Sequence, residues 1–80
     1  MRLDKYLKVT RIIKRRTISK DIINFGQVKV NNKIAKPSTN LKVNDIISLQ
    51  MGDKKMVFEV CSLDEKLAKN NITDMYKIIN

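Results

Sequence analysis

The spacing of hydrophobic residues changes at Gly26, and this change constrains the fold more than any other feature of the chain. Before Gly26, Ile18 and Ile22 recur at helical spacing, whereas Val28 and Val30 alternate with polar residues as in a β-strand. Glycine suits the left-handed conformation that ends many helices. The sequence therefore predicts an N-terminal helical segment followed by a sheet.

Two short helices are predicted before Gly26. The first covers residues 3–9 and the second residues 17–25, each with apolar residues three or four positions apart. Thr17 is the expected N-cap of the second helix, and Phe25 completes its apolar stripe. The connection between the helices carries four basic residues and two isoleucines, and the isoleucines are expected to point inward.

The segment after Gly26 predicts a small antiparallel sheet. Asn31-Asn32 separates two short apolar runs, and asparagine tolerates the positive φ angles of a tight hairpin turn. Two further strands are expected at 46–51 and 55–61, with Cys61 facing inward, and a last strand at 75–79. The predicted class is α+β, with two short helices packed on a small bent antiparallel sheet in a single domain of 80 residues.

Positive charge is concentrated in the first half of the chain. The net charge is +9, and residues 1–42 hold 12 Lys and Arg residues against two Asp residues. All four arginines lie within the first 16 residues. Such a concentration of positive charge indicates a polyanionic partner. We expect RNA rather than DNA, although charge alone does not exclude DNA. A helix lying on a membrane surface is disfavoured, because the short helices need their apolar faces for the core.

The residue types argue against catalysis and against a cofactor. The chain has no histidine, a single cysteine, and only two glycines, which are far apart. These residues provide no zinc site, no nucleophile–base pair and no glycine-rich phosphate loop. We therefore expect a protein that is not an enzyme and that binds neither a metal nor a cofactor.

The expected location is the cytoplasm. A single cysteine cannot form an intramolecular disulfide, which fits a reducing compartment. The first 16 residues contain no uninterrupted apolar run, so neither a signal peptide nor a membrane span is expected there. We also expect a monomer.

The basic residues around the helix connection form the predicted binding site. Arginine presents a planar fork that can hold two phosphate oxygens at once. Arg11, Arg15 and Arg16 are expected to supply such forks, and Lys8, Lys14 and Lys20 to widen the field. Base stacking has little support, because most of the four aromatic residues are expected in the core, so contact with folded RNA is favoured.

Three spaced motifs resemble the S4-type RNA-binding domain over roughly residues 1–50. Within that family, the two-helix face binds structured RNA, usually ribosomal or transfer RNA. The motifs are Arg2-Leu3-Asp4-Lys5-Tyr6-Leu7, Arg15-Arg16-Thr17-Ile18-Ser19-Lys20 and Gly26-Gln27-Val28-Lys29-Val30-Asn31. Together with the charge pattern, the resemblance implicates nine residues in RNA binding: Arg2, Asp4, Lys8, Arg11, Lys14, Arg15, Arg16, Thr17 and Lys20. Asp4 is expected to orient a nearby arginine or to favour the helix N-terminus.

A free-standing chain of this kind resembles bacterial ribosome quality-control factors related to the fifteen-kilodalton heat-shock protein. The resemblance implies binding to large-subunit rRNA and to P-site peptidyl-tRNA on the large ribosomal subunit. It also implies support for C-terminal alanine tailing by an RqcH-like tailing factor on the same subunit. Two alternatives remain open: a detached module that targets an rRNA- or tRNA-modifying enzyme, and a general chaperone of structured RNA. Residues 51–80, the remaining strands and C-terminal extension, have no assigned role.

Overall fold

The computed structural model describes residues 1–80. Two helices come first, α1 at Leu3–Val9 and α2 at Arg16–Asn24, as the helical spacing predicts. They are followed by five strands, with a short helix α3 at Leu67–Asn70 and a 3₁₀ turn at Ile72–Met75 before the last strand. The strands are β1 (Val28–Val30), β2 (Lys33–Ile34), β3 (Ile46–Met51), β4 (Lys54–Val60) and β5 (Tyr76–Ile78).

All five strands belong to one antiparallel sheet, in the order β2-β1-β3-β4-β5. The longest pairing joins β3 to β4, from Ile46 opposite Glu59 to Met51 opposite Lys54, around a turn in which Gly52 has a φ of +60°. The predicted α+β class is therefore confirmed, and the strand bounds differ from the sequence prediction by a single residue or so. The polar stretch before β5, for which no helix was predicted, forms α3 and the 3₁₀ turn.

The turns follow from residues that accept positive φ. Gly26 has a φ of +78° and closes α2, with its N–H donating to Ile23 O and the Gln27 N–H donating to Ile22 O. Asn31 and Asn32 have φ angles of +52° and +69°, which form the predicted hairpin turn between β1 and β2.

Asn31 also joins this hairpin to the start of β3. Its Nδ2 donates to Asp45 Oδ1 at 3.0 Å, and its Oδ1 accepts from the Ile46 N–H at 2.9 Å. Asp45 follows Asn44, another residue with positive φ, and its second carboxylate oxygen accepts from the Lys42 N–H at 2.8 Å. These contacts fix the register of the sheet beneath the helices.

One hydrophobic cluster unites the helices with one side of the sheet. Tyr6 is its largest member, and the phenol donates to Met75 O at 2.7 Å, linking α1 to the end of the chain just before β5. Burial raises the pKa of the Tyr6 phenol well above its usual value. The cluster comprises Leu3, Tyr6, Leu7, Ile13, Ile23, Val28, Ala35, Leu41, Ile47, Leu49, Phe58, Val60 and Met75.

Three local predictions are wrong. Helix α2 begins at Arg16 with Arg15 as its N-cap residue, so Thr17 lies inside the first turn and caps nothing. Phe25 is 80% exposed and lies outside the core, because α2 ends at Asn24 and the chain turns at Gly26. Cys61 is exposed, because Phe58 and Val60 are the inward-facing positions at this end of β4, so the alternation of side chains turns the next residue outward.

Candidate nucleic-acid interface

The N-terminus of α1 is anchored to the loop before β3. The Leu3 and Asp4 N–H groups donate to Thr39 O at 2.8 Å and to Pro37 O at 3.2 Å, which provides partners for two donors of the first helical turn. Arg2 forms an isolated antiparallel bridge with Asn40. These backbone contacts hold Arg2 and Asp4 in fixed positions.

Asp4 is completely buried and contacts two arginines. Arg2 approaches side on, with Nε 3.3 Å from Asp4 Oδ1 and Nη2 3.3 Å from Asp4 Oδ2. Arg16 contacts the same carboxylate, with Nε 3.4 Å from Oδ2. The Lys5 N–H completes the set by donating to Oδ1 at 2.8 Å. Asp4 therefore orients two arginines, whereas the sequence predicted that it would orient one without specifying which.

Both arginines keep part of their side chains in solvent. The Arg2 side chain is 46% exposed and the Arg16 side chain 42%. The Arg16 Nε is buried and makes no hydrogen bond of good geometry, so the exposed area belongs to other atoms of the side chain. Arg2 and Arg16, held by Asp4, are called the arginine pair below. A pre-oriented guanidinium loses less conformational entropy when it binds a phosphate.

The other predicted site residues lie on the surface of the same two helices and their connection, and they form no ion pairs. Lys8 lies in the last turn of α1, Arg11 and Lys14 lie in the connection, and Arg15 precedes α2. All four are exposed, as are Thr17 and Lys20 on α2. The structure brings Arg2, Asp4 and Arg16 into contact, and leaves the other five basic residues as separate positive charges. Asp4 has no exposed surface, so any contribution it makes to RNA binding passes through the arginine pair.

Arg11 has an unusual backbone conformation that the sequence did not indicate. Its φ is +60°, and its N–H donates to Lys8 O at 2.9 Å, directly after α1 ends. A residue with a Cβ atom is strained in this region, by roughly 1–2 kcal/mol. The connection continues to Ile13, which is buried as predicted, so the exposed Arg11 side chain extends from a turn anchored at both ends.

The N-terminus of α2 adds hydrogen-bond donors to the same region. Arg15 at the N-cap position makes no side-chain cap hydrogen bond. The first-turn N–H groups of a helix carry the positive end of its dipole and favour a bound anion. The interface thus combines oriented guanidiniums, exposed lysines and a helix N-terminus, which together suit phosphate groups.

The structure contains neither a metal-binding cluster nor a membrane-spanning helix. No group of three or more His, Cys, Asp and Glu side chains is close enough together to hold a metal ion. None of the helices combines the length and hydropathy needed to cross a bilayer.

Known proteins share this arrangement of helices and strands. The family model described as "S4 domain" matches residues 1–47, which contain both helices, the arginine pair and the β1–β2 hairpin. A solved structure of Heat Shock Protein 15 from Vibrio cholerae, described as trimeric, superimposes with a TM-score of 0.86 at 25% identity. That match covers 98% of this chain and 80% of the Vibrio chain.

Sequence relatives extend the likeness to the whole chain. A Streptococcus pneumoniae protein named RQC P-site tRNA stabilizing factor is 48% identical over 80 residues, covering 100% of this chain and 91% of the relative. A Bacillus subtilis protein with the same name is 38% identical over 79 residues, covering 99% of this chain and 92% of the relative. The chain therefore belongs to the S4 domain family of RNA-binding proteins, in the group whose members are named RQC P-site tRNA stabilizing factor.

Proposed function

We propose that this protein is a non-catalytic RNA-binding factor of ribosome-associated quality control. It binds the large ribosomal subunit that carries peptidyl-tRNA, contacts rRNA, and stabilises the tRNA in the P site. By holding the tRNA it supports C-terminal alanine tailing of the stalled chain by an RqcH-like factor on the same subunit. It acts in the cytoplasm, in association with the ribosome.

The arginine pair is the observation that carries this proposal. Asp4 holds Arg2 and Arg16 at 3.3 and 3.4 Å, and exposed basic residues flank them along α1, the connection and α2. Phosphate contacts dominate the affinity of proteins for RNA and release counterions, so binding of this kind falls as salt rises. The nine residues predicted from sequence are proposed as this RNA contact, with Asp4 acting through its two arginines.

Stabilisation of a bound tRNA requires only binding free energy. A factor that binds the subunit–tRNA complex more tightly than the separated components lowers tRNA dissociation by mass action. The surface described above supplies charge and hydrogen-bond donors for that purpose, and the proposal needs no bond-making step. A monomer is sufficient for it, although the Vibrio relative was described as a trimer; light scattering in solution measures which state this chain adopts.

The test is affinity purification of the tagged protein from growing cells, followed by sequencing of the bound RNA and analysis of subunit state. Recovery of large-subunit rRNA and tRNA with little small-subunit rRNA supports the proposal. Recovery of an RNA-modifying enzyme, or of many duplex RNAs without preference, would instead favour the targeting module or the general chaperone.

A matched pair of variants shows whether the arginine pair is the contact. Arg16→Ala is expected to weaken binding to large subunits and to lower the salt slope by about 0.9 for each phosphate that the variant no longer binds. Lys69→Ala removes the same charge from an exposed position on α3. Equal effects of the two substitutions would show that net charge alone, and not the arginine pair, governs binding.

A further inference from the structure

The sheet has a second side that the helices leave uncovered, and it carries both polar and apolar residues. Side chains alternate across a strand, so Lys29 points away from the buried Val28, and Ser48 points away from the buried Ile47 and Leu49. Register places Lys29 opposite Ser48, on the side of the sheet that faces away from the hydrophobic cluster. We call this side the outer sheet face.

An open cavity of about 280 Å³ lies on the outer sheet face, close to the end of α2. Of its eight lining residues, five are glycine or uncharged polar residues, two are lysines and one is apolar, and none carries a carboxylate. They are Gly26, Gln27, Lys29, Asn32, Ser48, Leu49, Gln50 and Lys55. The cavity, called the sheet cavity below, therefore combines positive charge with many hydrogen-bonding groups.

Two amide side chains in the sheet cavity are held in place by the backbone. Gln27 Nε2 donates to Gln50 O at 3.1 Å, and Gln50 Nε2 donates to Gly52 O at 2.7 Å. Neither side-chain oxygen has a hydrogen-bond partner within the protein, so both remain available as acceptors. Oriented amides are the groups with which proteins recognise the edges of unpaired bases.

An exposed aromatic ring lies next to the sheet cavity in the chain. Phe25 directly precedes the lining residue Gly26, and its side chain is 80% exposed although Phe is among the residue types most often buried. Exposed aromatic rings beside basic residues are typical of surfaces on which unpaired bases stack. Lysines, oriented amides and an exposed ring are the components of a site for single-stranded RNA.

We propose that the outer sheet face is a second RNA contact that binds an unpaired nucleotide segment. Lys29 and Lys55 hold its phosphates, the amides of Gln27 and Gln50 contact a base edge, and Phe25 stacks on a base. The inference rests on the proposed function, because a factor that holds tRNA against rRNA must contact two RNA molecules at once. The arginine pair then serves one RNA and the sheet cavity the other.

RNA fits this site better than a protein segment does. Of the eight lining residues only Leu49 is apolar, whereas protein-binding clefts present an apolar centre. The absence of a carboxylate among the lining residues leaves the charge of Lys29 and Lys55 uncompensated there. That charge favours a phosphate backbone.

The test uses two defined probes, a short single-stranded RNA of mixed sequence and an RNA duplex, with the full-length protein. The Lys29→Gln/Lys55→Gln double variant and Phe25→Leu are each expected to weaken single-strand binding about tenfold, while duplex binding stays within about twofold. Arg16→Ala is expected to give the reverse pattern. Lys66→Gln/Lys69→Gln removes the same charge from exposed positions near α3 and should leave both probes bound.

Simultaneous binding is measured by capturing the protein on immobilised duplex and adding labelled single strand. Retention of the label by the wild type and its loss with the Lys29/Lys55 variant support two separate contacts. Two outcomes would overturn the proposal of a second contact. One is displacement of the duplex by the single strand, and the other is unchanged single-strand binding by both the Lys29→Gln/Lys55→Gln variant and Phe25→Leu. Co-sedimentation with large subunits is read out separately, so the proposed function can stand when the sheet cavity proves irrelevant, and can fail when the cavity does bind RNA.

Discussion

Asp4 and Arg16 lie on different helices, yet Asp4 Oδ2 is 3.4 Å from Arg16 Nε, and the Asp4 side chain has no exposed surface. The pair crosses the junction between α1 and α2, and Arg2 contacts the same carboxylate. A buried negative charge thus orients two arginines within the strongly basic first half of the chain. Under the proposed function, this geometry gives Asp4 a role in binding a polyanion, although its own charge has the wrong sign.

Replacement of Asp4 by Asn should therefore weaken RNA binding while raising the net charge. Without the carboxylate the two arginines are free in the unbound protein, and ordering each long side chain costs about 1–2 kcal/mol. We expect affinity for an RNA duplex to fall at least about tenfold, measured by fluorescence anisotropy. Asp21→Asn makes the same charge change at an exposed position on α2 and should bind as well as the wild type or better. Tighter binding by the Asp4 variant would contradict the orienting role.

The left-handed backbone conformation of Arg11 should lower the free energy of unfolding of the protein. Because its φ is +60°, Arg11→Gly is expected to unfold at higher denaturant concentration than Arg11→Ala, by about 1 kcal/mol in the free energy of unfolding. Both variants should lose a similar amount of RNA affinity, since both remove the guanidinium. Urea unfolding followed by circular dichroism measures the first effect. Equal stabilities of the two variants would show that the left-handed backbone is not maintained in solution.

Tyr6 should make stability fall at alkaline pH. The folded state raises the pKa of the phenol through burial, so at high pH the unfolded chain loses its proton first. This contribution is fully present below the unfolded pKa of about 10 and is lost as pH rises beyond it, with a slope approaching about 1.4 kcal/mol per pH unit. The measurement is the difference in unfolding free energy between wild type and Tyr6→Phe from about pH 8 to pH 11. Both proteins contain the same lysines, so this difference reports the contribution of the Tyr6 phenol.

At neutral pH the Tyr6→Phe substitution should cost only about 1 kcal/mol, the usual net value of one hydrogen bond. Met75 O also accepts from the Cys61 and Ser62 N–H groups, at 2.8 and 3.1 Å, so it is not left unpaired. A wild-type stability that falls no faster than that of the Tyr6→Phe variant above about pH 10 would argue against burial of the phenol.

Phe25 and Phe58 should differ sharply in their effect on stability. Phe58 is completely buried on β4 and packs edge to face on Tyr76, with 5.9 Å between ring centroids. Phe58→Ala is expected to cost about 3–5 kcal/mol, whereas Phe25→Ala should change the unfolding free energy by no more than about 0.5 kcal/mol. Thermal unfolding of the two variants provides the comparison. A large loss with Phe25→Ala would place that ring against the core.

The sequence by itself determined the order of the two N-terminal helices and the five strands, and the class of the fold. Glycine and asparagine marked the turns, since Gly26, Asn31 and Asn32 all have the positive φ angles that these residue types accept. Apolar periodicity located both helices and the β3–β4 hairpin, because local spacing decides which elements can bury a side. The concentration of arginines near the N-terminus indicated a polyanionic partner, because a dense run of like charges attracts the opposite charge however the chain folds.

Only the tertiary structure decided which side chains meet and which remain exposed. The contact of Asp4 with Arg2 and Arg16 depends on the crossing of α1 and α2, and no local pattern specifies which arginines reach a given carboxylate. The exposure of Phe25 depends on where α2 ends relative to the sheet, since its spacing alone indicated a buried ring. The sheet cavity arises from strand pairing between distant segments, which places Lys29 and Lys55 on one surface. The local spacing of apolar residues determines the helices and strands, whereas binding sites are formed by packing between segments that are distant in the sequence.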